Sequence, residues 1–178
     1  MKAIQPTGDV KAFLQKALDP PPLDALEATH KRLIIAGALH AEGGYAAKLT
    51  PLGRHLAQLP LEVRQAKLLV LSGLFGCVEP MLHVVSLLSC RSIVASSSQR
   101  DETKAKARSA FLYGQSDLLS YANLFATWLA MRHERRPMKE VRTFCDAHGL
   151  SMQALQDVDM TRITLLRQLE ELGLIGRD

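Results

Sequence analysis

The chain has 178 residues, of which 47% are apolar and 5% aromatic, with a formal net charge of +4 and an isoelectric point near 9.1. This length is enough to bury a core, as one domain or two small ones, and no apolar run reaches the roughly 18–20 residues of a transmembrane helix. The small positive surplus is compatible with a polyanionic partner without requiring one, and the low aromatic content argues against a base-stacking surface.

The cysteines and the N-terminal residues indicate the kind of cellular compartment in which the protein is expected. Cys77, Cys90 and Cys145 are odd in number, have no C-x-x-C spacing and lie inside apolar helical patterns. We therefore expect reduced, buried thiols in an intracellular, reducing compartment, without resolving which one. Met1 is followed by neither an apolar signal core nor an Arg/Ser-rich presequence, so no targeting signal is expected, and the chain is either complete or a piece of a longer protein.

The first third of the chain predicts a small domain of helices with a β-hairpin. Residues Val10–Leu18 form an amphipathic pattern that the run Pro20-Pro21-Pro22 ends. A second helix starts near Leu23, and Gly43-Gly44 within His40–Lys48 predicts a tight two-stranded hairpin. Two helices followed by a small hairpin and a further helix are the outline of a winged helix.

A short helix and two strongly apolar helices are predicted next. Thr50 is a good N-cap residue and Pro51 suits the first helical turn, so we expect a short helix over Pro51–Gln58. Two strongly apolar helices then follow over residues 61–76 and 78–88, the first closed by Gly76.

The last part predicts a loop and three further helical segments. Residues Ser92–Ser98 are polar enough to be a loop, and Arg100–Leu112 forms a helix that is charged on most sides. Ser116 can cap a mostly buried helix that contains Trp128, and Ser151 can cap a long final helix that ends at Gly173. The fold class predicted from these elements is all-α with a small β-hairpin wing.

Several segments, in this order, carry a resemblance to a known family: FLQKALDPP (Phe13–Pro21), IAGAL (Ile35–Leu39), LTPLGRHLAQLPLE (Leu49–Glu62), AKLLVLSGLFGCVEPML (Ala66–Leu82), LLSCRS (Leu87–Ser92), SDLL (Ser116–Leu119) with Asn123 and Trp128, and FC (Phe144–Cys145). Together they resemble the helicase-associated region of DEAH-box RNA helicases, over nearly the whole chain. That region consists of a degenerate winged helix followed by a helical, ratchet-like bundle. The resemblance implies a winged-helix domain at residues 1–58 and a ratchet-like bundle at residues 59–178.

The sequence departs from the family at three places and lacks its catalytic motifs. Ile93-Val94 replaces the usual Pro-Phe pair, Glu62-Val63 replaces Asp-Pro, and Leu118 replaces a histidine. No G-x-x-x-x-G-K-[ST] motif and no acidic Walker-B motif occur, and Asp146-Ala147-His148 follows no apolar strand. The resemblance therefore implies a non-catalytic segment, with ATP and Mg²⁺ held only by the RecA-like domains of a parent helicase. We expect no cofactor or metal in this chain, because its six histidines are scattered.

Two groups of basic residues and one helix start are candidates for RNA contact. Lysine and arginine provide the charges that phosphates need without reading bases. The first basic segment comprises Arg91, Arg100, Lys104, Lys106 and Arg108. The corner segment comprises Arg132, Arg135, Arg136 and Lys139. A solvated helix face explains the same residues. Ser116 and Asp117 could seat a phosphate, although a helix N-cap explains them more simply.

The family resemblance also implies partners. These are single-stranded RNA, the RecA-like domains and an OB-fold of the same parent chain and, as in some members, a glycine-rich activator protein, with no membrane. The alternative function is a protein-interaction module that docks a helicase core or regulator without contacting RNA. A DNA-reading role for Leu26–Leu39 is disfavoured because that segment presents only Lys31 and Arg32 among apolar residues. A stand-alone enzyme is disfavoured as well.

Overall fold

The computed structural model describes residues 9–176 and is mostly helical. Its α-helices are α1 (Val10–Leu14), α2 (Leu23–Ile35), α3 (Pro51–Leu56), α4 (Val63–Phe75), α5 (Val78–Ser89), α6 (Glu102–Arg108), α7 (Asp117–His133), α8 (Met138–His148) and α9 (Met152–Glu171). The chain forms two compact units, of which unit 1 ends at Leu71 and unit 2 begins at Ser72. The domain division predicted from the sequence at residues 58 and 59 stays a prediction.

Three helix starts are set by the predicted cap residues. The side-chain oxygens of Thr50, Ser116 and Ser151 each accept a hydrogen bond from the backbone N–H three positions on, at 2.9, 3.3 and 3.3 Å. Each cap satisfies one of the N–H groups that the first helical turn leaves without a partner. The predicted starts of α3, α7 and α9 are therefore confirmed.

Five helices end in the same way. In each, a residue with positive φ follows the last turn, and the N–H of the next residue donates to the carbonyl five positions earlier. The left-handed residues are Gly37, Gly76, Arg135, Gly149 and Gly173, with φ of 77°, 64°, 54°, 64° and 66°. The predicted stops at Gly76 and Gly173 are confirmed, whereas the end of α7 uses an arginine where the others use glycine.

The β-hairpin wing predicted over His40–Lys48 is wrong. Gly43 and Gly44 both have positive φ, 94° and 52°, and residues Gly44–Ala46 form a turn of 3₁₀-helix. The N–H groups of Ala46 and Ala47 donate to the carbonyls of the two glycines, so they are not available to a strand ladder. In place of a hairpin, the described residues form a single antiparallel bridge here, between Leu39 and Leu49.

The core of unit 2 is built around α5. This helix contacts both α7 and α9, and α8 contacts α6 and α7. Phe125 and Trp128 of α7 are almost fully buried with Leu155 of α9. The segment Ser92–Ser98, predicted as a polar loop, contains a turn of 3₁₀-helix at Ser96–Ser98. It is also not simply polar: Ile93 is 2% exposed and Val94 pairs with Leu150 in an antiparallel bridge. Two consecutive β-branched residues thus anchor this loop in the core.

Candidate nucleic-acid interface

Two members of the first basic segment hold α6 in place. The ammonium of Lys104 donates to Ser98 Oγ at 3.1 Å and lies 3.7 Å from the carboxylate of Asp101. The guanidinium of Arg108 donates to the backbone carbonyl of His148 at 2.9 Å, at the C-terminal end of α8. Both side chains are half-buried. They therefore have intramolecular roles, because a helix C-terminus leaves carbonyls that a cation can satisfy.

The other three members face solvent. The side chain of Arg91 is 76% exposed and its guanidinium lies 3.5 Å from the carboxylate of Asp157 on α9, a pair that water and salt screen. Arg100 and Lys106 are exposed, and no hydrogen bond or ion pair found within residues 9–176 involves their side chains. These two cations are available to an external anion.

Two members of the corner segment are engaged by neighbours. The Arg136 guanidinium donates to the Glu134 carboxylate at 2.8 Å and lies 3.9 Å from that of Glu140. The hydrogen bond with Glu134, supported by the charges of both glutamates, raises the pKa of Arg136. Arg132 lies over the ring of the buried Trp128, with its guanidinium carbon 5.9 Å from the ring centre.

The corner segment also leaves cations without partners, and a further one was not predicted from the sequence. Arg135 and Lys139 are exposed, and within the described part of the chain their side chains make no hydrogen bond or ion pair. The same is true of Arg142, three positions after Lys139 on α8. The sequence signal that could have identified Arg142 is the four-residue spacing of the apolar residues Val141 and Cys145. Both are buried on the core side of α8, and Arg142 lies off that face and is exposed.

The structure does not bring the two basic segments into one cluster. Lys104 and Arg108 contact the C-terminal end of α8, whereas the corner segment immediately precedes and begins the same helix. At about 1.5 Å per residue, the 11 residues of α8 separate the two ends by roughly 16 Å. The two segments are therefore distinct candidate contacts.

Ser116 and Asp117 occupy the start of α7. Ser116 Oγ is used as the cap, and the Ser116 carbonyl accepts a hydrogen bond from Ser120 Oγ at 2.7 Å. Asp117 is exposed in the first turn, where the helix dipole favours a carboxylate. The structure thus gives both residues a helix-starting role, and their contact with RNA stays a prediction.

The buried titratable groups of unit 2 are parts of its core. His83 on α5 is 7% exposed, its Nε2 has no hydrogen-bond partner within the described chain, and its ring packs edge-on against Phe125 with the centroids 5.2 Å apart. Desolvation lowers the pKa of His83. Burial, together with the charge of Asp146, raises the pKa of Cys145 to about 11, so its thiolate is not available as a nucleophile near neutral pH.

Unit 1 contains an apolar cavity of about 250 Å³. It lies among α1, α2 and α3, and most of its lining is aliphatic, including Leu14, Leu33 and Leu56. Its polar margin includes Tyr45, whose ring lies 5.4 Å from the ammonium of Lys11. His30 also lines the cavity, with its Nε2 2.8 Å from the carbonyl oxygen of Gly44. Such a mostly aliphatic lining suits an apolar side chain or small molecule.

Two other kinds of feature are absent from the described ranges. Between residues 9 and 176, no three His, Cys, Asp or Glu side chains are grouped as metal ligands would be. No helix there combines the length and apolarity needed to cross a membrane.

Comparison with known proteins covers the whole chain. Residues 30–61 match the winged-helix part of the helicase associated domain (HA2), and residues 62–121 match its ratchet-like part. A protein of Mycosarcoma maydis, named as a DEAH-box ATP-dependent helicase, is 42% identical over 180 residues, which is 100% of this chain. The ATP-dependent RNA helicase DHX29 of Homo sapiens is 32% identical over 90% of the chain, and the chloroplastic DExH-box ATP-dependent RNA helicase DExH4 of Arabidopsis thaliana is 29% identical over 95%. The chain spans 12% of the length of each of these relatives.

Proposed function

Because the chain belongs to the helicase-associated (HA2) region of DEAH-box ATP-dependent RNA helicases, we propose that it forms part of the single-stranded RNA channel of a longer helicase. In that protein it packs on the RecA-like motor domains, which hold ATP and Mg²⁺, and an OB-fold belongs to the same parent chain. The segment itself is non-catalytic. The free cysteines at positions 77, 90 and 145 support an intracellular, reducing location.

One observation carries this proposal: unit 2 exposes cations that the fold does not use. Arg100, Lys106, Arg135 and Lys139 have exposed side chains without intramolecular partners in residues 9–176. Arg135 and Lys139 lie beside α7 and on α8, which have buried faces, and Arg100 and Lys106 lie beside and on α6, which contacts α8. Such cations suit phosphate contacts, which position a nucleic-acid strand without reading its sequence.

The test is binding of the 178-residue chain to fluorescent oligouridylate and oligoadenylate of equal length. Since phosphates dominate the expected contacts, the two RNAs should bind within a few-fold of each other. Replacing Arg100 and Lys106 by glutamine should weaken binding of both RNAs without lowering the melting temperature. Strong binding of one RNA only would contradict the phosphate contacts. So would unchanged RNA binding by both this double variant and Arg135→Gly.

A variant of Lys104 and Arg108 is the matched control within the same segment. Replacing these two cations by glutamine removes the same charge as in the first double variant. Because both side chains hold α6, we expect the melting temperature to fall. An unchanged melting temperature would show that these intramolecular contacts contribute little to stability. Lys104 and Arg108 would then again be candidates for RNA contact.

The cavity in unit 1 favours a second candidate function, a protein-interaction module. Its aliphatic lining would accept an apolar side chain from a regulator, such as the glycine-rich activator that the family resemblance implies. Absence of RNA binding by the chain, with retained binding to helicase motor domains or to such an activator, would favour this candidate over the RNA channel.

A further inference from the structure

Arg135 is the one non-glycine residue with positive φ between residues 9 and 176. It follows the last turn of α7, and the N–H of Arg136 donates to the Met131 carbonyl at 3.0 Å, the same closing bond as at the other four helix ends. Those ends have glycine at the equivalent position, including Gly173 at the end of α9. Arginine is therefore placed where this protein otherwise uses glycine.

The backbone alone does not favour arginine at this position. A left-handed φ brings Cβ close to the following carbonyl oxygen, and glycine avoids that contact because it has no Cβ. A non-glycine residue held in such a conformation has a conformational cost, and residues of this kind are concentrated at functional sites. An arginine here thus requires a compensating role for its side chain.

No intramolecular contact compensates for that cost. The Arg135 side chain is exposed and makes no hydrogen bond, ion pair or ring contact within the described residues. Its neighbour Arg136 shows the contrast, because two glutamates hold its guanidinium. A merely structural arginine would show contacts like those of Arg136 or of Arg108.

The charge around Arg135 favours an anion. Residues 132–142 contain five lysine or arginine side chains and two glutamates, and Arg136 lies close to both glutamates. The cations that remain without an acidic partner in the described structure are Arg132, Arg135, Lys139 and Arg142. Glu134 and Glu140 thus both pair with Arg136, and the other four cations of this segment lack acidic partners in the described structure.

We infer that Arg135 is a phosphate-contacting residue whose position at the α7–α8 corner is maintained at the expense of stability. Its ligand is a backbone phosphodiester of single-stranded RNA, with Lys139 and Arg142 contributing charge from the first two turns of α8. This role depends on the proposed RNA channel. It adds to that proposal a specific phosphate-contacting residue and a loss of folding stability at its position. Binding and stability are therefore opposed at this position.

The experiment compares the 178-residue chain with Arg135→Gly, Arg135→Asn and Arg135→Lys. Glycine removes both the guanidinium and the backbone cost, so the melting temperature should rise by roughly 3 °C while affinity for oligouridylate falls about threefold to tenfold. Asparagine tolerates a left-handed φ and should lose affinity without loss of stability. Lysine keeps a charge and should retain most of the affinity.

A charge-swap control separates position from net charge. Gly173→Arg places arginine at the equivalent point of α9, where an added Cβ would meet open space, so only the backbone cost is introduced. By itself it should lower the melting temperature by roughly the amount that Arg135→Gly raises it. The double variant Arg135→Gly/Gly173→Arg keeps the net charge of the native chain and should still bind RNA weakly.

The outcomes distinguish this inference from the proposed function. If the native chain binds RNA and Arg135→Gly binds equally well, the role of Arg135 is refuted and the RNA channel stands. Recovery of affinity in the charge-swap variant refutes it as well, because net charge alone would then suffice. If Arg135→Gly does not raise the melting temperature, the opposition of binding and stability is refuted. Failure of the native chain to bind RNA refutes the proposed function, and the Arg135 role with it.

Discussion

Gly149 and Gly76 offer a test of how tightly the end of α8 is packed. Both lie in unit 2, have φ of 64° and close a helix with the same turn, so the backbone cost of alanine is the same at each, about 1 kcal/mol. A Cβ at Gly76 would meet open space. A Cβ at Gly149 would lie 2.5 Å from Ser98 Cβ and 2.9 Å from Lys104 Cδ, about 1 Å inside ordinary carbon–carbon contact.

The difference between the two alanine variants therefore measures crowding. Overpacking adds about 1–3 kcal/mol, because Ser98 is buried and its loop is anchored in the core, so Gly149→Ala should lose roughly 2–4 kcal/mol against about 1 kcal/mol for Gly76→Ala. Urea unfolding followed by circular dichroism gives both free energies of unfolding. Ser98→Gly should restore part of the loss in Gly149→Ala, a coupling that a double-mutant cycle would detect. Equal losses at the two glycines, or no coupling, would refute this packing.

Three further predictions concern unit 2. Arg108→Met should lower the free energy of unfolding by about 1–2 kcal/mol in urea titrations, since the half-buried carbonyl of His148 loses a charged donor; a change below about 0.3 kcal/mol would contradict the cap. Burial lowers the pKa of His83 in the folded chain, so the unfolded chain takes up the proton first, and stability should be complete above pH 6.5 and decrease as pH falls from there through the lowered pKa. Melting curves of the native chain and of His83→Gln between pH 7.5 and 5 check this, and an equal decrease in both would rule out His83 as the cause. With its pKa raised to about 11, Cys145 should react most slowly of the three thiols in mass-spectrometric alkylation at pH 8, and fast labelling of the folded chain would contradict its burial.

Local signals predicted the starts of α3, α7 and α9 and the glycine ends of α4 and α9 correctly. The helices predicted over Val10–Leu18, Pro51–Gln58 and Arg100–Leu112 are shorter in the structure, at Val10–Leu14, Pro51–Leu56 and Glu102–Arg108. Thr50, Ser116 and Ser151 act within one turn of their own positions, so cap chemistry is visible in sequence. The wing prediction failed for an equally local reason. Positive φ at both glycines is compatible with a hairpin turn, but the N–H groups of Ala46 and Ala47 bond to the glycine carbonyls in a 3₁₀ turn, so no strand ladder continues from it.

Sequence periodicity could not predict the tertiary contacts of the basic residues. Arg108 and Lys104 carry the same charge as Arg100 and Lys106 in one helical segment, yet only the first pair meets the C-terminal end of α8. That distinction depends on the packing of α6 against a helix some 40 residues later in the chain. Likewise, the left-handed φ of Arg135 follows from how α7 meets α8, and nothing in its residue type indicates it.

The most direct measurement of the central claim is the salt dependence of RNA binding. Affinity of the 178-residue chain for oligouridylate would be determined between 50 and 300 mM salt, for the native chain and for a variant with glutamine at positions 100, 106, 135 and 139. The logarithm of the binding constant should fall linearly with the logarithm of salt concentration. The variant's slope should be shallower by about 0.7 for each phosphate that its side chains no longer neutralise. An affinity that is independent of salt, or equal slopes for both chains, would contradict the claim that these cations contact RNA phosphates.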